Sequence, residues 1–184
     1  MVGQDPYLSE VFEQPPLTAF RRQRNIRDHL IRAKVPSDPE PYPERIQRGM
    51  KKCGKNCTAC PYIKEAKSLR INQNEWKINQ SLNCEISNCV YLIECKKDNC
   101  DMKYIGETKR MLKFRLADHR GYINNQDETQ ATGKHFNSPG HSLADLSITV
   151  LEKVKKSDDL YRKEREKYFI RKFNTFYRGL NRQP

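Results

Sequence analysis

Long apolar runs are absent from this chain. No stretch could cross a bilayer, and the first residues carry no apolar core of a secretory leader. Acidic charge is short of basic charge, with Asp+Glu 23 against Lys+Arg 35, a formal net charge of +12 and a pI of about 9.4. That balance predicts a polyanionic partner with salt-sensitive binding, nucleic acid ahead of an anionic membrane. Hydrophobic residues make up 36% and charged residues 32%, with a mean hydropathy of −0.95, so part of the chain is expected to be extended or solvated. No internal repeat is visible. The seven cysteines are an odd number in a chain without a leader, which points to a reducing compartment and to thiols that bind metal rather than pair.

At 184 residues the chain suits one domain and an appendage. Residues 1–50 read as a linker. It is irregular at first, with Pro6, Pro15 and Pro16; a short basic helix follows over 25–32 with Asn25 as its cap, then a stiff spacer from Pro36 to Pro43. Residues 51–86 form a Cys-rich segment. Residues 87–184 carry the pattern of an α+β domain. Val90–Ile93 and Lys103–Gly106 predict a hairpin, 109–125 a helix with a Leu112/Leu116/Ile123 stripe, Ser147–Leu151 a third strand, and 158–173 a helix capped by Ser157. The expected architecture is a small three-stranded antiparallel sheet flanked by helices.

Polar residues mark this domain. Glu166 sits within the Phe169/Ile170/Phe173 stripe of the last helix, whereas Glu164 falls on the opposite side. A carboxylate among apolar neighbours needs a cation, supplied by a metal or by Arg162 one turn earlier in a structural ion pair. Arg115 and His119 share one edge of the first helix, a geometry suited to holding phosphate oxygens and passing a proton. Tyr91 and Tyr104 are either ordinary strand tyrosines or phenols that meet water and phosphate.

These residues resemble the motifs of the GIY-YIG nucleases. Cys89-Val90-Tyr91 matches the first motif with two changes, and Tyr104-Ile105-Gly106 matches the second without change. Arg115 with His119, Glu166 before Tyr168-Phe169-Ile170, and Asn181 in Gly179-Leu180-Asn181 resemble the rest of the site. More narrowly, the chain resembles the C-terminal endonuclease and preceding linker of Penelope-like retroelements. The strings that carry this likeness are Val90-Tyr91-Leu92-Ile93-Glu94-Cys95, Tyr104-Ile105-Gly106-Glu107-Thr108, His135-Phe136-Asn137-Ser138-Pro139-Gly140-His141 and Arg21-Arg22-Gln23-Arg24-Asn25-Ile26-Arg27-Asp28.

The resemblance implies a catalytic set of Tyr91, Tyr104, Arg115, His119, Glu166 and Asn181, with Mg²⁺ or Mn²⁺ on Glu166. It implies nicking of double-stranded target DNA, a nuclear location, contact with element RNA, and a reverse transcriptase domain too large for this length. The chain is therefore expected to be a fragment or a stand-alone module. Lys103, Lys109, Arg110 and Arg120 are the candidate phosphate contacts. Cys95, Cys100, His135 and His141 have the ligand types of a structural zinc that would staple the hairpin to the loop after the first helix. Cys53, Cys57, Cys60 and Cys84 are a second candidate zinc set, or free thiols, and Cys89 is expected to be a buried strand thiol. Two rival readings stand beside this one: a zinc-stabilised module that grips nucleic acid without cutting, and a structure-selective repair or recombination nuclease on the same fold.

Overall fold

The run from Cys89 to Cys95 is almost wholly buried and forms the central strand of the molecule, as a run with apolar residues on both faces should. A computed structural model describes residues 47–55, 57–155 and 158–182. The strands are β1 (Gly49–Met50), β2 (Ser68–Ile71), β3 (Asn74–Lys77), β4 (Ser81–Leu82), β5 (Cys89–Cys95), β6 (Lys103–Thr108) and β7 (Leu146–Lys153). The helices are α1 (Leu112–Asn124), α2 (Ala131–Phe136), α3 (Asp159–Phe173) and α4 (Thr175–Arg178). The main sheet has the order β6-β5-β7, and both pairings are antiparallel. The expected three-stranded antiparallel sheet with flanking helices is therefore the fold. The helix expected over 25–32, the Pro36–Pro43 spacer and the Ser157 cap lie outside the described residues.

Helix α1 begins three residues later than expected. Thr108 accepts the Arg110 amide on its hydroxyl at 3.1 Å, which holds Lys109 and Arg110 in a bend ahead of the helix. Asp158 occupies the N-cap of α3 and accepts the Leu160 amide at 2.9 Å. Asn174, at φ 54°, ends α3 in the left-handed conformation that asparagine tolerates.

The composition changes near residue 86, but the described residues on the two sides share one core and belong to one compact unit. Lys64 donates its amide to the Ile148 carbonyl at 3.0 Å, and Thr149 donates its hydroxyl to the Lys64 carbonyl at 3.0 Å, so the Cys-rich segment covers the free edge of β7. The Trp76 indole donates to the Leu151 carbonyl at 2.9 Å, and the ring meets Phe169 edge-on at 4.9 Å. Phe169, Ile170 and Phe173 are buried as their stripe predicts. At the other edge, Leu180 donates its amide to the Lys103 carbonyl at 2.8 Å and closes β6.

Candidate active site

Cross-strand partners in a sheet point to the same face, so the pairing of Tyr91 with Gly106 and of Ile93 with Tyr104 places both tyrosines on one face. Gly106 is needed there for want of space. A Cβ at this position would lie 2.5 Å from the Tyr91 hydroxyl oxygen and 2.8 Å from a Tyr104 ring carbon. Asn181 holds this strand in place. Its carboxamide accepts the Ile105 amide at 2.9 Å and donates to the Ile105 carbonyl at 2.7 Å, replacing both bonds that a further strand would make.

Helix α1 presents two side chains to the Tyr91 phenol. Arg115 Nε donates to its oxygen at 2.9 Å, and His119 Nε2 lies 2.8 Å from it. His119 Nδ1 meets the Thr132 hydroxyl of α2 at 2.9 Å. The imidazole is buried and has Tyr91, Tyr104 and Tyr122 edge-on around it at 5.6–5.8 Å between ring centres. Burial, and secondarily the Arg115 charge, push its pKa down to about 3, so the ring is neutral. Burial pushes the Tyr91 phenol well above its ordinary range, and the Tyr104 phenol is raised by burial too.

Glu166 faces the same cleft, an opening of about 350 Å³ lined by Tyr104, His119, Thr132, Glu166 and Asn181 among others. Burial, then the nearby Glu107 carboxylate, pushes the Glu166 pKa up to about 7. The alternative of a Glu166–Arg162 ion pair is not what the structure contains. Arg162 is buried and bonds Glu107 and Asp159 instead, which leaves Glu166 without a basic partner among the described residues. Such a carboxylate, half-buried and facing an open cleft, fits a hard divalent ion that keeps most of its waters.

Of the expected catalytic set, Tyr104, His119, Glu166 and Asn181 line the cleft. Tyr91 is fully buried, with Arg115 over its hydroxyl. The expected phosphate contacts divide. Lys109 and Arg110 are exposed in the bend before α1, Arg110 beside Asp118. The Lys103 ammonium is tied to Asp101 and its side chain is 11% exposed, so it offers no charge to a phosphate in this arrangement. Arg120 lies over the Tyr62 ring at 5.2 Å and donates to the Thr58 carbonyl at 3.4 Å, so it serves the Cys-rich segment.

Both candidate zinc sets are assembled. The ligand atoms of Cys53, Cys57, Cys60 and Cys84 lie within 4.8 Å of one another, as do those of Cys95, Cys100, His135 and His141. Contacts between sulfurs in the first set run from 3.3 to 4.0 Å. Zinc–sulfur bonds of about 2.3 Å in a tetrahedron put sulfurs about 3.8 Å apart, so the cage has the right size. In the second set, Cys100 Sγ lies 3.6 Å from His135 Nε2. Ser138 contacts His141 Nδ1 at 3.2 Å, while His141 Nε2 is buried with no protein partner. One imidazole nitrogen steadied by a neighbour and the other left bare is the usual form of a metal-binding histidine. Cys89 stands apart as a buried thiol, its pKa raised by burial to about 12.

Sequence reasoning missed Thr132 and Glu107, and it paired Arg162 with Glu166 rather than with Glu107 and Asp159. Thr132 meets His119 across an intervening loop and leaves no local trace. Glu107 stands directly after the Tyr104-Ile105-Gly106 motif, where β-strand alternation could have flagged it.

A model of the GIY-YIG catalytic domain matches residues 87–181, and the chain belongs to that family of nucleases. No curated protein and no solved structure matches it.

Proposed function

We propose that this chain is a divalent-metal-dependent DNA endonuclease that nicks double-stranded target DNA, of the kind that serves a Penelope-like retroelement. The observation that supports it most is the meeting of Arg115, His119 and Tyr91 within 2.9 Å contacts beside a cleft that holds Glu166. A grip without cleavage has no use for an unpaired carboxylate next to phosphate.

In this reading Glu166 holds Mg²⁺ or Mn²⁺, which supplies charge stabilisation at the scissile phosphate and the leaving 3′ oxygen. Arg115, whose side chain is 24% exposed, turns outward to a non-bridging oxygen and so uncovers the Tyr91 hydroxyl. Tyr91 takes a proton from the attacking water while its own passes to His119. Tyr104 orients the phosphate or the water, and Asn181 holds the strand that carries Tyr104. Lys109 and Arg110 contact flanking phosphates. Zinc on the four-cysteine set and on the Cys/His set serves structure, with no open position for chemistry. Element RNA, a reverse transcriptase domain outside this sequence and a nuclear location belong to the same proposal, on the strength of the motif resemblance.

The test is nicking of supercoiled plasmid with Mg²⁺ by the wild type and Glu166→Ala, both first shown to be folded, zinc-loaded and able to bind DNA. Nicking by the wild type alone supports the reading. Equal nicking by both assigns the activity to another site or a contaminant. Binding without nicking by either, on branched DNA as well as plasmid, favours the non-cleaving module.

A further inference from the structure

His119 can carry its single proton on either ring nitrogen, and the two forms give opposite chemistry at Tyr91. With the proton on Nε2, the Tyr91 oxygen would receive donors from both Arg115 and His119, and its own hydroxyl proton would have no acceptor. The phenol is fully buried and neutral, and among the described residues its hydrogen-bond partners are Arg115 Nε at 2.9 Å and His119 Nε2 at 2.8 Å. Guanidinium nitrogens donate and do not accept. A buried hydroxyl left without an acceptor is costly, so Nε2 must be bare and Nδ1 must carry the proton. The matching acceptor for that Nδ1–H is the Thr132 hydroxyl oxygen at 2.9 Å; Thr132 lines the open cleft, where water can take its own hydroxyl proton, whereas Tyr91 does not reach the cleft and has only Nε2 to donate to.

We infer that Thr132 is a positioning residue that fixes His119 in the Nδ1–H form, leaving Nε2 free to receive the Tyr91 proton. The threonine is itself buried and stands on α2, three residues before His135 of the Cys/His set. The Cys/His set, through His135, and the orientation of the imidazole, through Thr132, are thus joined by one short helix.

For turnover this inference rests on the nuclease reading. A water O–H bond breaks and its proton goes to Tyr91 Oη, while the Tyr91 proton goes to His119 Nε2. The hydroxide forms a bond to phosphorus as the P–O3′ bond breaks, and the leaving oxygen takes a proton from solvent. His119 then returns its proton to solvent, so one water is consumed. No oxidation occurs.

The test uses the full chain, zinc-loaded, with its histidine rings labelled with ¹⁵N. Long-range proton–nitrogen NMR reads the protonated nitrogen of His119 and needs no turnover. The wild type is expected to show protonated Nδ1 and bare Nε2. Thr132→Val, which removes the hydroxyl and keeps the branched shape, strands the buried N–H in the Nδ1–H form just as the other form strands the Tyr91 O–H, so the single form should give way to a mixture and kcat should fall on the order of 10²-fold with little change in KM. Thr132→Ser should restore both. A protonated Nε2 in the wild type overturns the inference. So does a Thr132→Val protein that keeps the Nδ1–H form or wild-type kcat. A wild type with the expected form that nicks no DNA upholds the positioning role and sinks the nuclease reading alone. If Thr132→Val does not fold, the wild type and Thr132→Ser still decide the tautomer.

Discussion

Gly106 controls how close two tyrosines come. Its backbone is not in the left-handed region, so strain is not the reason for a glycine there. The reason is the 2.5 Å gap between a would-be Cβ and the Tyr91 oxygen. Gly106→Ala should fold with its zinc sets intact yet lose about 10²-fold in nicking rate, because displacement of the reacting groups by about an ångström costs that much. Equal nicking by the alanine variant and the wild type would show that the Tyr91 position does not matter to the chemistry. At this scale the sequence told a good deal. Tyr91, Tyr104, Arg115, His119, Glu166 and Asn181 all carry motif signals, and the helical phase of Glu166 within its apolar stripe was readable. Partner choice was not. Arg162 lies one turn from Glu166 on the same helix but bonds Glu107 from another strand. Thr132 reaches His119 from a separate helix. Such contacts are fixed by the tertiary path of the chain, which periodicity does not encode.

Helix α1 carries Arg115 and His119, and its first turn has no side-chain cap. Backbone carbonyls do that work: Leu112 donates its amide to Ile86 at 2.8 Å and Lys113 donates to Cys84 at 2.9 Å. The four-cysteine cage therefore holds one end of the helix, while α2, which carries His135, touches it at His119 through Thr132. Stripping zinc with a chelator should speed hydrogen exchange at the amides of Leu112 and Lys113 before the central strand β5 opens. Unchanged protection at those two amides would detach the cage from the helix. The elements themselves were legible where apolar periodicity was strong, in β5, β7 and α3. The start of α1 was not, because Lys109 and Arg110 read as good helix formers until the Thr108 hydroxyl takes the Arg110 amide.

On the whole molecule, a net charge of +12 gives attraction to a polyanion but does not say which cations meet it. The structure separates them. Lys109 is 63% exposed and only loosely paired, 3.8 Å from the exposed Asp159, whereas Lys103 is 11% exposed and held closely by Asp101. Lys109→Ala should lower the salt slope of duplex binding by about one unit, and Lys103→Ala should leave it unchanged. A matching loss from Lys103→Ala would mean that its pairing with Asp101 opens on DNA. A change in composition near residue 86 is readable in the sequence. That both sides build one core is not, because the contacts across it, such as Lys64 with Ile148 and Asn72 with the Phe173 carbonyl, join positions far apart in sequence.

The single tryptophan sits on that joint. Trp76 has its indole N–H on the Leu151 carbonyl of the sheet, its ring edge-on to Phe169 of α3, and the Lys172 ammonium 4.7 Å above it. Its emission therefore comes from one place, and it is sensitive to the polarity and charge there. The chain carries a built-in fluorescent gauge of whether the Cys-rich segment is seated against the helix that holds Glu166, and it needs neither a dye nor a substrate to be read.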